Sequence, residues 1–172
     1  MSLVIMKTAP QPLPEHALLA RYAGDGGYTD CYATDLPGNF SQAEYVAAFY
    51  TTWLFKLERL ILKLLVAKPS TDQQAEELAR GGRASFAAWT VEASAPNQLL
   101  MRDFLGNTRS WLMVEPRDEG GVTRLYFGSA VVPRNGPAGQ RKMGLRFRAL
   151  LGFHRRYSRA LLAAARARLT TV

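Results

Sequence analysis

The sequence predicts an α+β fold in which a curved antiparallel sheet wraps around a long C-terminal helix. Three observations predict it: a capped helical stretch that begins near residue 41, four alternating segments between residues 85 and 132, and a helical periodicity from about residue 140 to 169. The 172 residues suffice for a single domain with a buried core. Residues 1–27, rich in proline and glycine, are expected to form an extended segment, and residues 28–169 the folded core.

One strand and two helices are expected before the alternating segments. Residues 28–34 are mostly aromatic or β-branched, which is typical of a strand. Ser41 and Glu44 have the spacing of a capping box, in which each side chain binds the other residue's backbone N–H at the start of a helix. Two threonines at positions 51 and 52 mark a point where this helix kinks or restarts, and a shorter helix is expected over residues 70–80. The apolar face of the long helix comprises Val46, Tyr50, Trp53, Leu57, Leu60 and Leu64.

The four alternating segments predict strands that pair as antiparallel hairpins in a meander. The gaps between them are short and rich in Pro, Asn and Gly, which favours tight turns. A connecting loop with a small even number of residues keeps the alternating side chains of the two strands on matching faces of the sheet. A two-residue turn at Gly106-Asn107 and a four-residue loop at 118–121 would therefore gather the apolar residues on one face. An odd-length turn near Pro96 would add Trp89 and Val91 to that face. The expected strands are residues 85–93, 98–104, 108–115 and 123–132.

The C-terminal region concentrates the positive charge of the chain. Residues 120–172 contain no Asp or Glu but 11 of the 22 Lys and Arg, so the first 119 residues carry 11 − 14 = −3. Within the predicted helix, His154 shares an apolar stripe with Phe147 and Leu151, whereas the arginines line another side. We therefore expect the stripe to face the sheet and the arginines to face solvent.

This order of elements resembles the START-like helix-grip superfamily of the SRPBCC type, which includes the polyketide cyclases and the birch-pollen allergen group. The resemblance covers residues 28–169 and consists of a strand, two helices, an antiparallel sheet and a long terminal helix. It implies an internal apolar cavity that binds or transforms small hydrophobic molecules. The superfamily usually has six strands after the helix pair, whereas four are predicted here. A nuclear-transport-factor-like cone is the alternative, although it normally lacks so long a terminal helix.

The predicted pocket lies between the inner face of the sheet and the stripe of the last helix. Three polar residues on adjacent strands, Asp103, Ser110 and Ser129, are expected at nearby registers, where they could orient the carbonyl or hydroxyl group of a ligand. The alternative for Asp103 is a solvated position at the mouth of its hairpin, since aspartate is seldom buried. The candidate ligand-binding residues are Trp89, Met101, Asp103, Ser110, Leu112, Phe127, Ser129, Phe147, Leu151 and His154.

Three functions remain open from the sequence. The leading hypothesis is the binding of a small hydrophobic molecule in this pocket. The second is an enzyme of the cyclase or dehydratase kind, in which Asp103 and His154 act as acid–base groups. The third is an interaction module that uses the arginines of the C-terminal helix, such as Arg155 and Arg159. No nucleophile, phosphate-loop or other catalytic motif decides whether the protein is an enzyme.

Several ligands and locations are disfavoured by composition. Two histidines and one cysteine, Cys31, provide no metal-ligand spacing and no disulfide framework, so neither a metal nor a cofactor is expected. Aromatic residues do not alternate with the arginines, which argues against nucleic acid. Charges interrupt the longest apolar stretch, residues 53–66, so no membrane span is expected. The N-terminus has no signal-peptide core, which favours a cytoplasmic location, and a homodimer is left open.

Overall fold

The computed structural model describes residues 7–24, 28–66, 69–117, 121–132 and 145–171, with backbone only for 61–66 and 145–154. The loop expected at 133–139 and the expected helix start at residue 140 lie outside the described residues. The elements are β1 (Ala9–Pro10), a 3-10 turn (Leu18–Tyr22), β2 (Tyr28–Pro37), α1 (Gln42–Tyr50), α2 (Trp53–Val66), α3 (Asp72–Ala79), β3 (Ser85–Phe86), β4 (Trp89–Ala95), β5 (Gln98–Asp103), β6 (Thr108–Arg117), β7 (Val122–Val131) and α4 (Leu145–Thr170).

The predicted α+β class is confirmed: one antiparallel sheet packs against helices that include a long C-terminal one. The described part of the sheet has seven strands in the order β1-β2-β7-β6-β5-β4-β3, rather than the five that the sequence predicted. The two additional strands, β1 and β3, contain only two residues each and lie at the two edges. A segment of two residues is too short to show the alternation of apolar and polar residues by which a strand is predicted.

Three helices, rather than the predicted two, connect β2 to β3. The capping box of Ser41 and Glu44 starts α1 as expected, but the helix ends at Tyr50. The hydroxyl of Thr51 donates to the carbonyl of Ala47 (2.7 Å), and the hydroxyl of Thr52 accepts the backbone N–H of Phe55 (3.2 Å). These side-chain hydrogen bonds compete with the backbone hydrogen bonds of a continuous helix, so that α2 begins as a separate helix.

The break at Thr51 and Thr52 divides the apolar face that the sequence predicted as continuous. Tyr50 is buried, whereas Trp53, three residues later, is 73% exposed, and Leu57 and Leu60 are exposed as well. A helical pattern places residues on one face only while the axis continues. The prediction that these three residues of α2 contribute to the core is therefore wrong.

The inner face of the meander has the composition that alternation predicted. Leu99 lies opposite Leu112, which lies opposite Phe127, and all three are buried beneath the helices. The β5–β6 loop has four residues, 104–107, instead of two, but an even loop preserves the face. In β4, Trp89 and Val91 reach this face because of a bulge between Val91 and Ala93, not because of the turn length.

The helix over the centre of the sheet is α1, while α4 packs on β2 and β7 at one side. Aromatic rings of α1 and α2 fill the space beneath: Phe49 lies 5.0 Å from Phe127, and Tyr50 lies 4.8 Å from Phe55, between ring centroids. Because α1 also packs on the inner face of the sheet, the expectation of a sheet that wraps around the C-terminal helix is not confirmed.

The opposite face of the sheet is also covered, although alternation predicted only one apolar face. Leu19 of the 3-10 turn packs against Trp111, and both are fully buried. The amide of Gln98 accepts hydrogen bonds from the backbone of Leu18 (2.8 Å) and from the indole of Trp111 (2.9 Å). Residues 13–22 thus form a second layer over this face, which explains why Trp111 is buried there. None of the described helices has the length and apolar character needed to cross a membrane.

Candidate functional site

Two of the predicted site residues lie directly opposite each other on the inner face. Ser110 of β6 pairs in register with Ser129 of β7. The same row continues across the sheet to Asp30 of β2 on one side, and to Met101 and Val91 on the other. Trp89, Leu112 and Phe127 occupy the neighbouring rows of this face. The sheet therefore carries a short polar row within an apolar face.

The carboxylate in this row is Asp30, not Asp103. The Asp30 Oδ1 atom accepts hydrogen bonds from the Ser129 hydroxyl (2.5 Å) and the Ser129 backbone N–H (3.0 Å). Asp103 lies one row nearer the end of the sheet, opposite Trp89, and accepts the backbone N–H of Thr108 at 2.8 Å. It is half-buried at the mouth of the hairpin, the alternative position that the sequence left open. Asp30 escaped prediction because the register of its strand against β7 has no sequence signal.

The remaining predicted site residues lie in the first turns of α4. Phe147, Leu151 and His154 are helical, but their side chains lie outside the described part of the chain. The suggested pairing of His154 with Asp103 therefore stays a prediction.

A buried hydroxyl lies next to the polar row. The Tyr50 hydroxyl is fully buried and makes no hydrogen bond of ordinary geometry. Burial raises the pKa of Tyr50, and the adjacent Ser110 side chain opposes this effect without reaching good hydrogen-bond geometry. A buried polar atom without a partner is uncommon in proteins and marks a place where a water or a ligand atom could bind.

Glu58 of α2 is a second half-buried carboxyl group that the sequence did not single out. The Tyr157 hydroxyl of α4 donates a hydrogen bond to it. Burial raises the pKa of Glu58, while hydrogen bonds from Tyr157 and from the Trp89 indole lower it. A single acid inside the apolar run of residues 53–66 was the available signal, and it was interpreted only as evidence against a membrane span.

A surface cleft, called the larger cleft by comparison with the second one described below, lies between α1, the end of α3 and strands β4 and β5. Its volume is about 790 Å³. Val46 and Leu78 contribute apolar surface from the helices, and Val91 and Leu99 from the strands. This size is within the range of small-molecule sites, which span roughly 300–1,000 Å³.

Three of the polar side chains around this larger cleft are already paired with protein groups. The Gln42 amide bridges a carbonyl (3.2 Å) and an N–H (3.1 Å) of the β6 backbone. Arg83 pairs with Glu77 at 3.1 Å, and Gln98 binds the Trp111 indole. The cleft therefore presents mainly its apolar surface to a ligand.

The second cleft has a different character. It lies between β1, β2 and α4 and has a volume of about 410 Å³. Three arginines of α4, Arg155, Arg156 and Arg159, line one side, and residues 28–32 of β2 line the other. The carboxylate of Asp30 is the acid among its lining residues.

No protein-family model matches the sequence, and no curated protein or solved structure does so either. Within the described ranges, no three His, Cys, Asp or Glu side chains are grouped closely enough to hold a metal ion. Cys31 is buried, and burial raises the pKa of its thiol to about 12, so it packs as a neutral group.

Proposed function

We propose that the protein binds a small, neutral, largely apolar molecule in the larger cleft. The observation that carries this proposal is the pairing of Gln42, Arg83 and Gln98 with protein groups, which leaves an apolar surface of suitable size for a ligand. Removal of such surface from water is the main source of binding free energy for apolar ligands. A charged ligand would find few free partners there and would lose its hydration.

The proposed position differs from the pocket expected beneath α4. Among the described residues, the central part of that region contains the side chains of Phe49, Tyr50 and Phe55. The larger cleft adjoins the same inner face, since Val91 and Leu99 belong to both. The proposal thus retains the small hydrophobic ligand and moves it toward the β4 side of the sheet.

A fluorescence titration with N-phenyl-1-naphthylamine, a neutral apolar probe, tests the proposal. Ala43 lies on α1 within the cleft, so Ala43→Trp should fill the cleft while leaving the core unchanged. We expect saturable binding by the unmodified protein and a loss of affinity of about tenfold or more in Ala43→Trp. Ala160→Trp, an exposed substitution on α4, is the matched control and should bind as the unmodified protein does. Equal affinities in all three proteins would contradict the proposal.

Acid–base catalysis is a second candidate function, and Glu58 is the observation that favours it. A carboxyl group whose pKa is raised by burial can hold a proton nearer to neutral pH and act as a general acid. The pair predicted from the sequence, Asp103 and His154, remains an alternative for this role. Measurement of the carboxyl pKa values by carbon-detected NMR tests whether Glu58 can act as the general acid. An ordinary pKa for Glu58 would remove it as the acid, and a raised pKa would support it.

A further inference from the structure

We propose that the second cleft is an anion site that binds the phosphate group of a small phosphorylated molecule. The cleft is separate from the apolar one, and its defining feature is that three arginines within five residues of α4 line one side of it. Arg155 and Arg159 are four residues apart, so they lie on one side of the helix, with Arg156 beside them. The opposite wall is the edge of the sheet formed by β1 and β2.

Unlike four arginines elsewhere in the protein, the three arginines of this cleft have no acidic partner at ion-pair distance among the described residues. Arg59, Arg83, Arg109 and Arg124 each form an ion pair with an Asp or Glu at 3.1 Å or less. Within the described residues, no ion pair involves Arg155, Arg156 or Arg159. An excess of charge of one sign in a cleft produces a focused potential that attracts an ion of the opposite sign.

Local hydrogen bonds hold part of this cleft in place. The Nε atom of Arg155 donates to the Tyr28 hydroxyl (3.1 Å), and its guanidinium carbon lies 5.8 Å from the centre of the Tyr28 ring. The Tyr28 hydroxyl donates in turn to the Oδ2 atom of Asp30 (3.2 Å), whose Oδ1 atom is bound by Ser129. Arg155 is thus oriented through Nε, which leaves its two terminal nitrogens to donate to an anion.

The balance of charge indicates a dianion. Three arginines and one aspartate give a formal charge of 3 − 1 = +2 in the cleft. A phosphate monoester carries a charge of about −1.5 to −2 near neutral pH and has three acceptor oxygens. Guanidinium groups bind such oxygens in pairs, so this site would need no glycine-rich phosphate loop. The side chain of Gln11 and the ring of Tyr28 are placed to contact the rest of the molecule.

Calorimetric titration with phenyl phosphate, compared with phenol, tests the proposal. We expect saturable binding of phenyl phosphate with no binding of phenol, and a loss of affinity of about tenfold or more in Arg155→Ala and in Arg159→Ala. Arg168→Ala removes the same charge from an exposed position of α4 outside the cleft, and it should leave the affinity unchanged. Arg155→Lys keeps the charge but loses the planar guanidinium group. Its affinity for phenyl phosphate should therefore fall between those of the unmodified protein and of Arg155→Ala.

Three results would overturn this assignment. One is the absence of saturable phenyl phosphate binding up to about 10 mM. Another is an equal loss of affinity in Arg168→Ala, because net charge alone would then explain the binding. The third is binding of single-stranded RNA or of vesicles with anionic lipids in the absence of phenyl phosphate binding, which would assign the arginines to a macromolecule. Thermal unfolding of each variant serves to show that it is folded. The outcome is independent of the apolar cleft, whose test uses Ala43→Trp.

Discussion

The guanidinium group of Arg124 donates two hydrogen bonds to the carboxylate of Asp35, at 2.5 Å from Nε to Oδ1 and 2.7 Å from Nη2 to Oδ2. The two residues face each other directly in the pairing of β2 with β7. This bidentate geometry is the strongest form of an arginine–carboxylate contact. The hydrogen bonds from Arg124 hold the pKa of Asp35 below its usual range, although partial burial acts in the opposite direction. The pair therefore connects β2 to the meander.

We expect Asp35→Asn to lower the free energy of unfolding by about 1–2 kcal/mol near neutral pH, because the Arg124 cation then faces a neutral amide, which can accept through only one oxygen, instead of a carboxylate. Since the folded-state pKa of Asp35 is depressed, the contribution of the pair is present above the unfolded-state pKa, at about 4, and is lost as the pH falls through the folded value. Urea denaturation at several pH values measures this difference.

Glu76→Gln is the control for Asp35→Asn. Glu76 forms an exposed pair with Arg80 at 3.6 Å, and such pairs contribute little to stability. A difference between Asp35→Asn and the unmodified protein that persists undiminished well below pH 4 would contradict the assigned role of the carboxylate.

Two buried tyrosines of α1 provide a matched comparison. The Tyr45 hydroxyl donates to the backbone carbonyl of Tyr126 at 3.0 Å, whereas the Tyr50 hydroxyl makes no hydrogen bond of ordinary geometry. We expect Tyr45→Phe to lower the free energy of unfolding by about 1–2 kcal/mol, and Tyr50→Phe to leave it unchanged or raise it by up to about 1 kcal/mol. Chemical denaturation of both variants measures the contrast. An equal loss in the two would mean that Tyr50 has a hydrogen-bond partner in solution, such as a buried water.

Alternation along strands was sufficient to predict which face of the meander is buried. Leu99, Leu112 and Phe127 lie on the inner face as expected, and so do Ser110 and Ser129. The prediction survived an incorrect turn length because loops of two and four residues shift the register by two positions and keep the same face. The face of the sheet on which a side chain lies can thus be predicted more safely than the residue that it pairs with on the next strand.

Contacts between distant segments could not be predicted in the same way. Asp30 reaches Ser129 across 99 positions, and Gln98 reaches Leu18 across 80, with no periodic pattern in either partner. The two threonines at positions 51 and 52 did indicate where the first helix restarts, but the hydrophobic pattern did not show that the apolar face changes there. Asp30 was missed because its partner is distant in the sequence, whereas Glu58 was missed because the apolar run around it was interpreted only as evidence against a membrane span.

The close approach of the N-terminal segment to the sheet requires a glycine at position 128. A Cβ atom there would lie 2.8 Å from the Leu19 side chain, 2.9 Å from the Asp30 carbonyl oxygen and 2.9 Å from the Trp111 ring. We expect Gly128→Ala to lower the free energy of unfolding by about 1–3 kcal/mol, because backbone and ring cannot both move away. Gly24→Ala, with no atom within 4 Å of the added methyl group, is the control and should change stability by less than about 0.5 kcal/mol. Indistinguishable unfolding curves for the two variants would show that residues 13–22 do not pack on this face in solution.

Glu58 should make the protein less stable as the pH rises. Because burial raises its folded-state pKa, the folded protein holds the Glu58 proton more tightly than the unfolded chain does. The free energy of unfolding contributed by this group therefore falls as the pH increases from the unfolded-state pKa, at about 4.3, through the raised folded value. Glu58→Gln has no such proton, so its stability relative to the unmodified protein should increase over that interval.

Urea denaturation of Glu58→Gln and of the unmodified protein across this pH interval measures the effect of Glu58. A difference in the free energy of unfolding that is the same at every pH reflects altered hydrogen bonds with Tyr157. Only the change of that difference with pH measures the effect of the Glu58 proton. Tyr157→Phe sharpens the test, since it removes a hydrogen bond that lowers the pKa of Glu58 and should steepen the loss of stability with pH. If the stability difference between Glu58→Gln and the unmodified protein stays constant with pH, Glu58 is hydrated in solution, and its candidacy as a general acid fails with that result.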